Sequence, residues 1–265
     1  MPLPGAADNV LRTPCRLIID PAASGAWNMA VDEVLFDWTG QTGRACLRFY
    51  RWDQPTLSLG YFQTYELRRG HQPSAGCPVV RRLTGGGAIL HDRELTYSLA
   101  LPSTHPLAKK RLALYEAVHQ TLAEVLAEWR VEASLHPAGD PCPAGAQPFL
   151  CFHRRSPGDV VAGGVKVAGS AQRRSATAVL QHGSVLLDRS RCAPDVPGLA
   201  DLAGPGIDDR ALIGPWLRRL ADRLAFAWYE EPLSEAEQAA ASKLVETKYD
   251  NPLWTRHRGR AGAIH

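Results

Sequence analysis

"RRLTGGGAILHD", residues 81–92, sets three consecutive glycines between an arginine pair and a His-Asp pair. A turn that needs positive φ is served by one glycine, or two. A third adds conformational entropy lost on folding and gives the turn nothing in return. The triplet therefore marks main chain that something lies against. Two readings fit: a hairpin bulge, or a backbone cradle for an acyl chain, a carbonyl or a phosphate. Strand-like "AIL" comes after the glycines rather than a helix, so the dinucleotide fingerprint G-x-G-x-x-G does not apply. The other glycine-rich stretch, "GGVKVAGS", contains Gly164 and Gly169 in G-x4-G spacing but lacks the Lys-Ser/Thr of a phosphate-binding loop.

Working outward, "CPVVRRL" reads as a short strand running into the glycines, and "AILHDRELTYSLALP" as a hairpin or bent strand stopped by Pro102. Upstream, "NMAVDEVLFDW" has Met29, Val31, Leu35 and Trp38 near one helical stripe, and "ACLRFYRW" and "TLSLGYF" read as strands. Downstream, "LYEAVHQTLAEVLAEWR" is an amphipathic helix with Leu114, Val118, Leu122, Val125 and Trp129 at helical spacing. Pro137 to Pro148 and Pro194 to Gly206 read as loops; "FLCF", "DVVAGGVKVAGSAQRR" and "TAVLQHGSVLL" read as three strands. Two helices close the chain, the second with Ser234 and Glu237 in capping-box spacing. The expected fold is α/β (α+β), one domain over residues 1–265 with a mixed, largely antiparallel central sheet flanked by helices.

Composition narrows the function. The 265 residues carry 30 basic and 27 acidic side chains, too even a balance for a nucleic-acid partner. No apolar run reaches membrane-spanning length. The start, "MPLPGAADNVLR", lacks the basic and apolar regions of a signal peptide, so a cytoplasmic location is expected. Six scattered cysteines form no C-x-x-C pair and no zinc spacing, so neither metal nor cofactor is expected.

Chemistry concentrates in a few positions. Arg81 and Arg82 alternate on a strand, so one faces the glycines and the other is a surface residue. His91 reads as a hydrogen-bonded structural histidine or a catalyst. Lys166 lies between glycines, on the side of its strand opposite Val165 and Val167. Facing inward it needs an anion or oxyanion for company; facing outward it is an ordinary surface lysine. Cys151 shares a strand face with His153, and Arg154 and Arg155 follow. Nearby positive charge favours a thiolate, whereas plain burial makes a cysteine inert.

Taken together, "NMAVDE", "LRFYRWDQPTLSLGYFQ", "RRLTGGGAILHDRELTYS", "KVAGSAQRR" and "LQHGSVLL" resemble, in order, the biotin/lipoate protein ligase and octanoyltransferase superfamily from about Asn28 to Leu187. "HDRELTYS" and a "CF" ahead of "GVKVAGSAQ" look most like octanoyltransferases of the LipM type. That resemblance implies Cys151 as an acyl-thioester nucleophile and Lys166 as the group that lowers its pKa. It implies an acyl tunnel lined by Arg82, Gly85, Gly86, Gly87, Ala88, Ile89, His91, Gly169, Ser170, His182 and Gly183. Backbone N–H groups at Gly86 to Ala88 or Gly169–Ser170 are expected to hold the oxyanion. The implied donor is octanoyl-acyl carrier protein, and the acceptor a lysine of a lipoyl domain such as the glycine-cleavage H protein. Acidic carriers of that kind would dock on arginines such as Arg154, Arg155, Arg173 and Arg174. Gly87 departs from several transferases, which carry a bulkier residue there, and keeps an ATP-dependent lipoate–protein ligase as the alternative. A non-catalytic carrier-binding module is the third reading, favoured only if Cys151 lies remote from Lys166.

Overall fold

The computed structural model describes residues 12–138, 148–204 and 206–259. Most of the Pro137–Pro148 loop, Cys142 and the N-terminal readings lie outside them. Eleven strands are present among these residues: β1 (Thr13–Ala23), β2 (Ala45–Trp52), β3 (Thr56–Leu59), β4 (Val79–Arg81), β5 (Ile89–His91), β6 (Glu94–Pro102), β7 (Ala133–Leu135), β8 (Val160–Ala162), β9 (Val165–Arg174), β10 (Ala178–Leu186) and β11 (Phe226–Glu230). The main sheet runs β11-β1-β2-β6-β10-β9-β8-β7, and a small sheet runs β4-β3-β5. β1 pairs parallel with β11 and β2, while β2, β6, β10, β9, β8 and β7 pair antiparallel in turn. The mixed, largely antiparallel sheet is as expected.

Helices cover both faces. α1 (Gly25–Thr42) starts on a Ser24 cap and stops where Gly43 takes φ 69°. It packs with Ile18, Cys46, Tyr50 and Trp52 on one face. α2 (Arg111–Glu128) lies on the other, its Leu114, Val118 and Leu122 sharing a core with Leu99, Val179 and Trp216. Trp216 comes from α4 (Asp209–Leu224), which follows the short α3 (Leu199–Ala203). α5 (Glu235–Leu244) and α6 (Pro252–His257) end the described chain. The Ser234–Glu237 capping box forms as its spacing predicts.

The structure differs from the sequence reading at several places. "DVVAGGVKVAGSAQRR" is a hairpin of two strands, β8 and β9, and β7 is absent from that reading. Three helices, α4, α5 and α6, rather than two close the chain. The Pro194–Gly206 loop contains α3. The "FLCF" strand is instead a single bridge, Leu150 to Ala88, followed by a 3-10 turn over Cys151–His153. β1 and β11, missed in the sequence, pair with each other. Arg81 is not a surface residue: it is fully buried. Its guanidinium donates to the carbonyls of Gly60, Tyr61, Gln63 and Thr255.

Candidate active site

The site begins with an irregularity in β9. Against β8, the register steps from Val160–Ala168 to Val161–Lys166, so two residues of β9 are used for one of β8. A bulge of this kind re-aims side chains. Lys166 thereby comes onto the side of Gly169, where an added Cβ would lie 2.4 Å from Lys166 Cε and 2.6 Å from Nζ. Glycine at 169 is the space in which the lysine lies.

Cys151 arrives from the other side. Ala88 N–H donates to Phe149 O at 2.9 Å, and Cys151 N–H donates to Ala88 O at 2.7 Å. A Cβ on Gly87 would sit 3.2 Å from Cys151 Cα and N. Gly87 and Ala88 therefore dock the cysteine segment, while Gly85, Gly86 and Ile89 line a cavity of about 590 Å³. Into that cavity face Cys151, Lys166, Arg82, Arg154, Asp159, Gly169, Ser170, His91, His182 and Gly183. Lys166 Nζ is 3.7 Å from Cys151 Sγ. His153 turns away and pairs with Asp195 at 3.0 Å, because a 3-10 turn does not keep alternate residues on one face.

Arg82 accounts for much of the glycine triplet. Its guanidinium donates to Gly85 O at 2.8 Å and Gly87 O at 2.7 Å, and to the carbonyl and hydroxyl of Ser58. Between those carbonyls Gly86 takes φ +98°, with space for a Cβ only 3.0 Å from Arg82 Nη2. These acceptors are neutral oxygens, so the charge of Arg82 is not cancelled by a carboxylate. Burial pulls its pKa down, to about 10, which still leaves it a cation at neutral pH.

The Cys151 thiol registers this. Burial pushes its pKa up, but Lys166, Arg82 and Arg154 together outweigh that, against some opposition from Asp159. The net shift is below the ordinary thiol value, the direction that makes a nucleophile.

Asp159, which sequence reasoning missed, holds Lys166 at 2.8 Å. Its carboxylate also accepts from Ser156 N–H at 2.7 Å and from the Tyr115 hydroxyl. Tyr115 and His119 are four apart on α2, so both reach the same patch. Gly158, with φ +86°, leaves room for the Tyr115 ring. The available signal was a Tyr/His pair at i, i+4 beside the apolar stripe of α2.

Two of the backbone groups expected to hold the oxyanion are already committed. Ala88 N–H is spent on Phe149 O, and Ser170 N–H donates to Tyr115 Oη at 3.0 Å. His91 and His182 sit in hydrogen-bonded networks: His91 contacts Glu94 at 2.5 Å and Ser58 at 2.7 Å, and His182 contacts Thr84 at 2.6 Å and Asp32 at 3.1 Å. Burial lowers the His91 pKa despite Glu94, so its ring is neutral. Among the described residues no cluster of His, Cys, Asp and Glu could hold a metal ion, and no helix is long and apolar enough to cross a membrane.

Residues 24–192 match the lipoyl protein ligase A/B catalytic domain family. The chain belongs to that family. Octanoyltransferase LipM of Brevibacillus brevis is 39% identical over 275 residues, covering 92% of this chain and 99% of that protein. Octanoyltransferase LipM of Geobacillus kaustophilus is also 39% identical, over 62% of each chain. The fold matches the bi-partite lipoate protein ligase of Thermoplasma acidophilum with a TM-score of 0.73 at 20% identity, over 95% of this chain and 100% of that one. The catalytic-domain match takes in Cys151, Lys166, Asp159 and both glycine-rich segments.

Proposed function

We propose that this chain is an octanoyltransferase of lipoate assembly, that it takes its acyl group from octanoyl-acyl carrier protein through a Cys151 thioester, and that it delivers it to a lysine of a lipoyl domain, the glycine-cleavage H protein being the expected acceptor. That it is an acyltransferase accords with full-length relatives such as the B. brevis enzyme. The single observation behind the thioester route is a thiol 3.7 Å from a buried ammonium, at the wall of a cavity large enough for an acyl chain.

In the first step Cys151 Sγ attacks the thioester carbonyl and the new C–S bond forms. The carrier's sulfur leaves with the electron pair of the old bond and takes up a proton. Lys166 has three N–H bonds; one points to Cys151 and one to Asp159. The third is the donor for the oxyanion, replacing the backbone groups that are already committed. Paired with Asp159 and pointing at the thiol, the lysine acts by charge and hydrogen bonding rather than as a base. Arg154 lines the cavity, and Arg155, Arg173 and Arg174 are exposed and suit an acidic carrier.

The test is intact-mass spectrometry of the protein mixed with octanoyl-acyl carrier protein in the absence of ATP. Gain of one octanoyl group, removable by hydroxylamine and lost in Cys151→Ala, is the expected result. No covalent adduct, with transfer only when ATP and a free acid are supplied, would establish the ligase reading instead.

A further inference from the structure

Ser170 lies on the cavity wall with Cys151 and Lys166. Each of its hydrogen bonds has a fixed direction. His119 Nδ1 is 2.6 Å from Gly158 O. A carbonyl only accepts, so Nδ1 carries the proton. The imidazole is fully buried, and burial lowers its pKa to about 4, so the ring is neutral and Nε2 offers only a lone pair. Ser170 Oγ, 2.6 Å from Nε2, must therefore donate its one proton to His119.

The opposite end of the chain agrees. Gln172 Nε2 donates to Gln181 Oε1 at 2.8 Å, and Gln181 Nε2 donates to Tyr97 Oη at 2.9 Å. The Tyr97 hydroxyl is thus free to donate to Ser170 Oγ, 2.6 Å away. Ser170 gives its proton to His119 and accepts one hydrogen bond from Tyr97. One lone pair is left. Its backbone N–H is already committed to Tyr115. Toward a bound molecule, Ser170 can only accept.

We propose that Ser170 Oγ receives an N–H of the incoming primary amine, orienting it for attack on the acyl-thioester, and that Ser170 does not bind the acyl carbonyl. This rests on the thioester reading above. Lys166, Arg82 and Arg154 crowd the thiol with positive charge, so the amine that reaches it is neutral, with two N–H bonds to satisfy. Asp159 is the poorer acceptor: it is fully buried and its oxygens already serve Lys166, Ser156 and Tyr115, whereas Ser170 is partly exposed at the cavity wall. In the step itself the C–N bond forms and the C–S bond breaks with its electron pair going to Sγ. One amine proton passes to that sulfur, so the products are amide and thiol. His119 acts through Ser170 and is a positioning residue.

The experiment separates the two half-reactions. Octanoyl-acyl carrier protein loads the enzyme, the acyl-enzyme is isolated, and its decay is followed by intact mass with a lipoyl domain or with hydroxylamine. Ser170→Ala is expected to load with the donor at close to the wild-type rate. It should then transfer to the lipoyl domain about tenfold more slowly, the scale of one lost hydrogen bond. Hydroxylamine, small and needing no orientation, should release the octanoyl group equally from both proteins. Equal slowing of loading and transfer would assign Ser170 to the carbonyl or to the donor's amide N–H groups and overturn the proposal, as would wild-type transfer. Should wild-type enzyme form no acyl-enzyme, the underlying thioester reading fails instead, a separate outcome. If Ser170→Ala does not fold, Tyr97→Phe carries the test. It leaves the serine anchored on His119 with its acceptor intact, so transfer should stay within about twofold; a tenfold loss there would show that the polar chain, rather than the lone pair, matters.

Discussion

Cys46 and Cys151 both sit where water is scarce and both have arginine nearby, yet their thiols shift in opposite directions. Burial drives Cys46 up to about 12, with Arg16 pulling the other way and Glu237 opposing Arg16. Cys151 ends below its ordinary value. The difference lies in what accompanies the cation. Arg16 is bound by Glu237 at 2.6 Å and also meets Glu231, so a thiolate at Cys46 would face a pair that is nearly neutral. At Cys151 a single carboxylate, Asp159, which pairs with Lys166, opposes three cations, Lys166, Arg82 and Arg154. Arg82 is bound by carbonyl and hydroxyl oxygens, so its charge reaches the thiol uncancelled. Burial alone makes a cysteine inert, whereas burial among cations that outnumber the carboxylates makes it reactive.

Exchanging the two thiols for other groups separates them most. Cys151→Ser should lower octanoyl transfer by roughly a thousandfold or more, because a hydroxyl stays protonated where the thiol ionises. Cys46→Ala should keep transfer within about twofold, since Cys46 only packs among Ile18, Val34 and Tyr50. Steady-state transfer assays on the two variants side by side decide it. Full activity of Cys151→Ser together with a demand for ATP would remove the transferase reading.

A smaller effect comes from removing one cation. Lys166→Ala takes away the cation that lowers the thiol most, so the Cys151 pKa must rise and its alkylation by iodoacetamide should move to higher pH. For every pH unit by which the thiol rises, alkylation at neutral pH slows about tenfold. Lys166→Arg should also fail, because the wider guanidinium has no room beside Gly169. An alkylation profile unchanged by Lys166→Ala would leave Arg82 and Arg154 as the groups that set the thiol.

The fold and the two proposed site residues were legible in the sequence for separate physical reasons. Alternation and helical periodicity are local, so β2, α2 and the strands around Lys166 were visible. Ordered motifs brought Cys151 and Lys166 into one reading. What stayed hidden depends on distant partners. Arg81 looked like a surface residue because its four carbonyl acceptors come from Gly60, Tyr61, Gln63 and Thr255, none adjacent in sequence. Asp159 had no local pattern, since its significance lies in Lys166 across a bulge and Tyr115 on a helix. The turn at Cys151 could not be told from a strand, because four apolar-rich residues suit either.

The smallest effects, and the finest contrast, concern two glycines. Gly169→Ala puts a methyl 2.4 Å from Lys166 Cε and 2.6 Å from its ammonium. The lysine must swing away from Cys151, and misplacing a positioned group by about 1 Å is worth up to roughly a hundredfold in rate. A loss of about tenfold is expected, with the alkylation profile moving up in pH as for Lys166→Ala. Gly87→Ala meets only backbone, with Cys151 Cα and N and Phe149 O all at 3.2 Å. Those atoms need give only a few tenths of an ångström, at a cost of about 1 kcal/mol in stability. Transfer should fall less than about threefold while the melting temperature drops by roughly 2–4 °C. That outcome would make Gly87 a packing feature of the cysteine segment, compatible with the bulkier residues that several transferases carry there. If Gly87→Ala instead abolished transfer with the melting temperature and the thiol profile intact, Gly87 would be a direct contact of the acyl group, and the likeness of the triplet to the ligases would be functional.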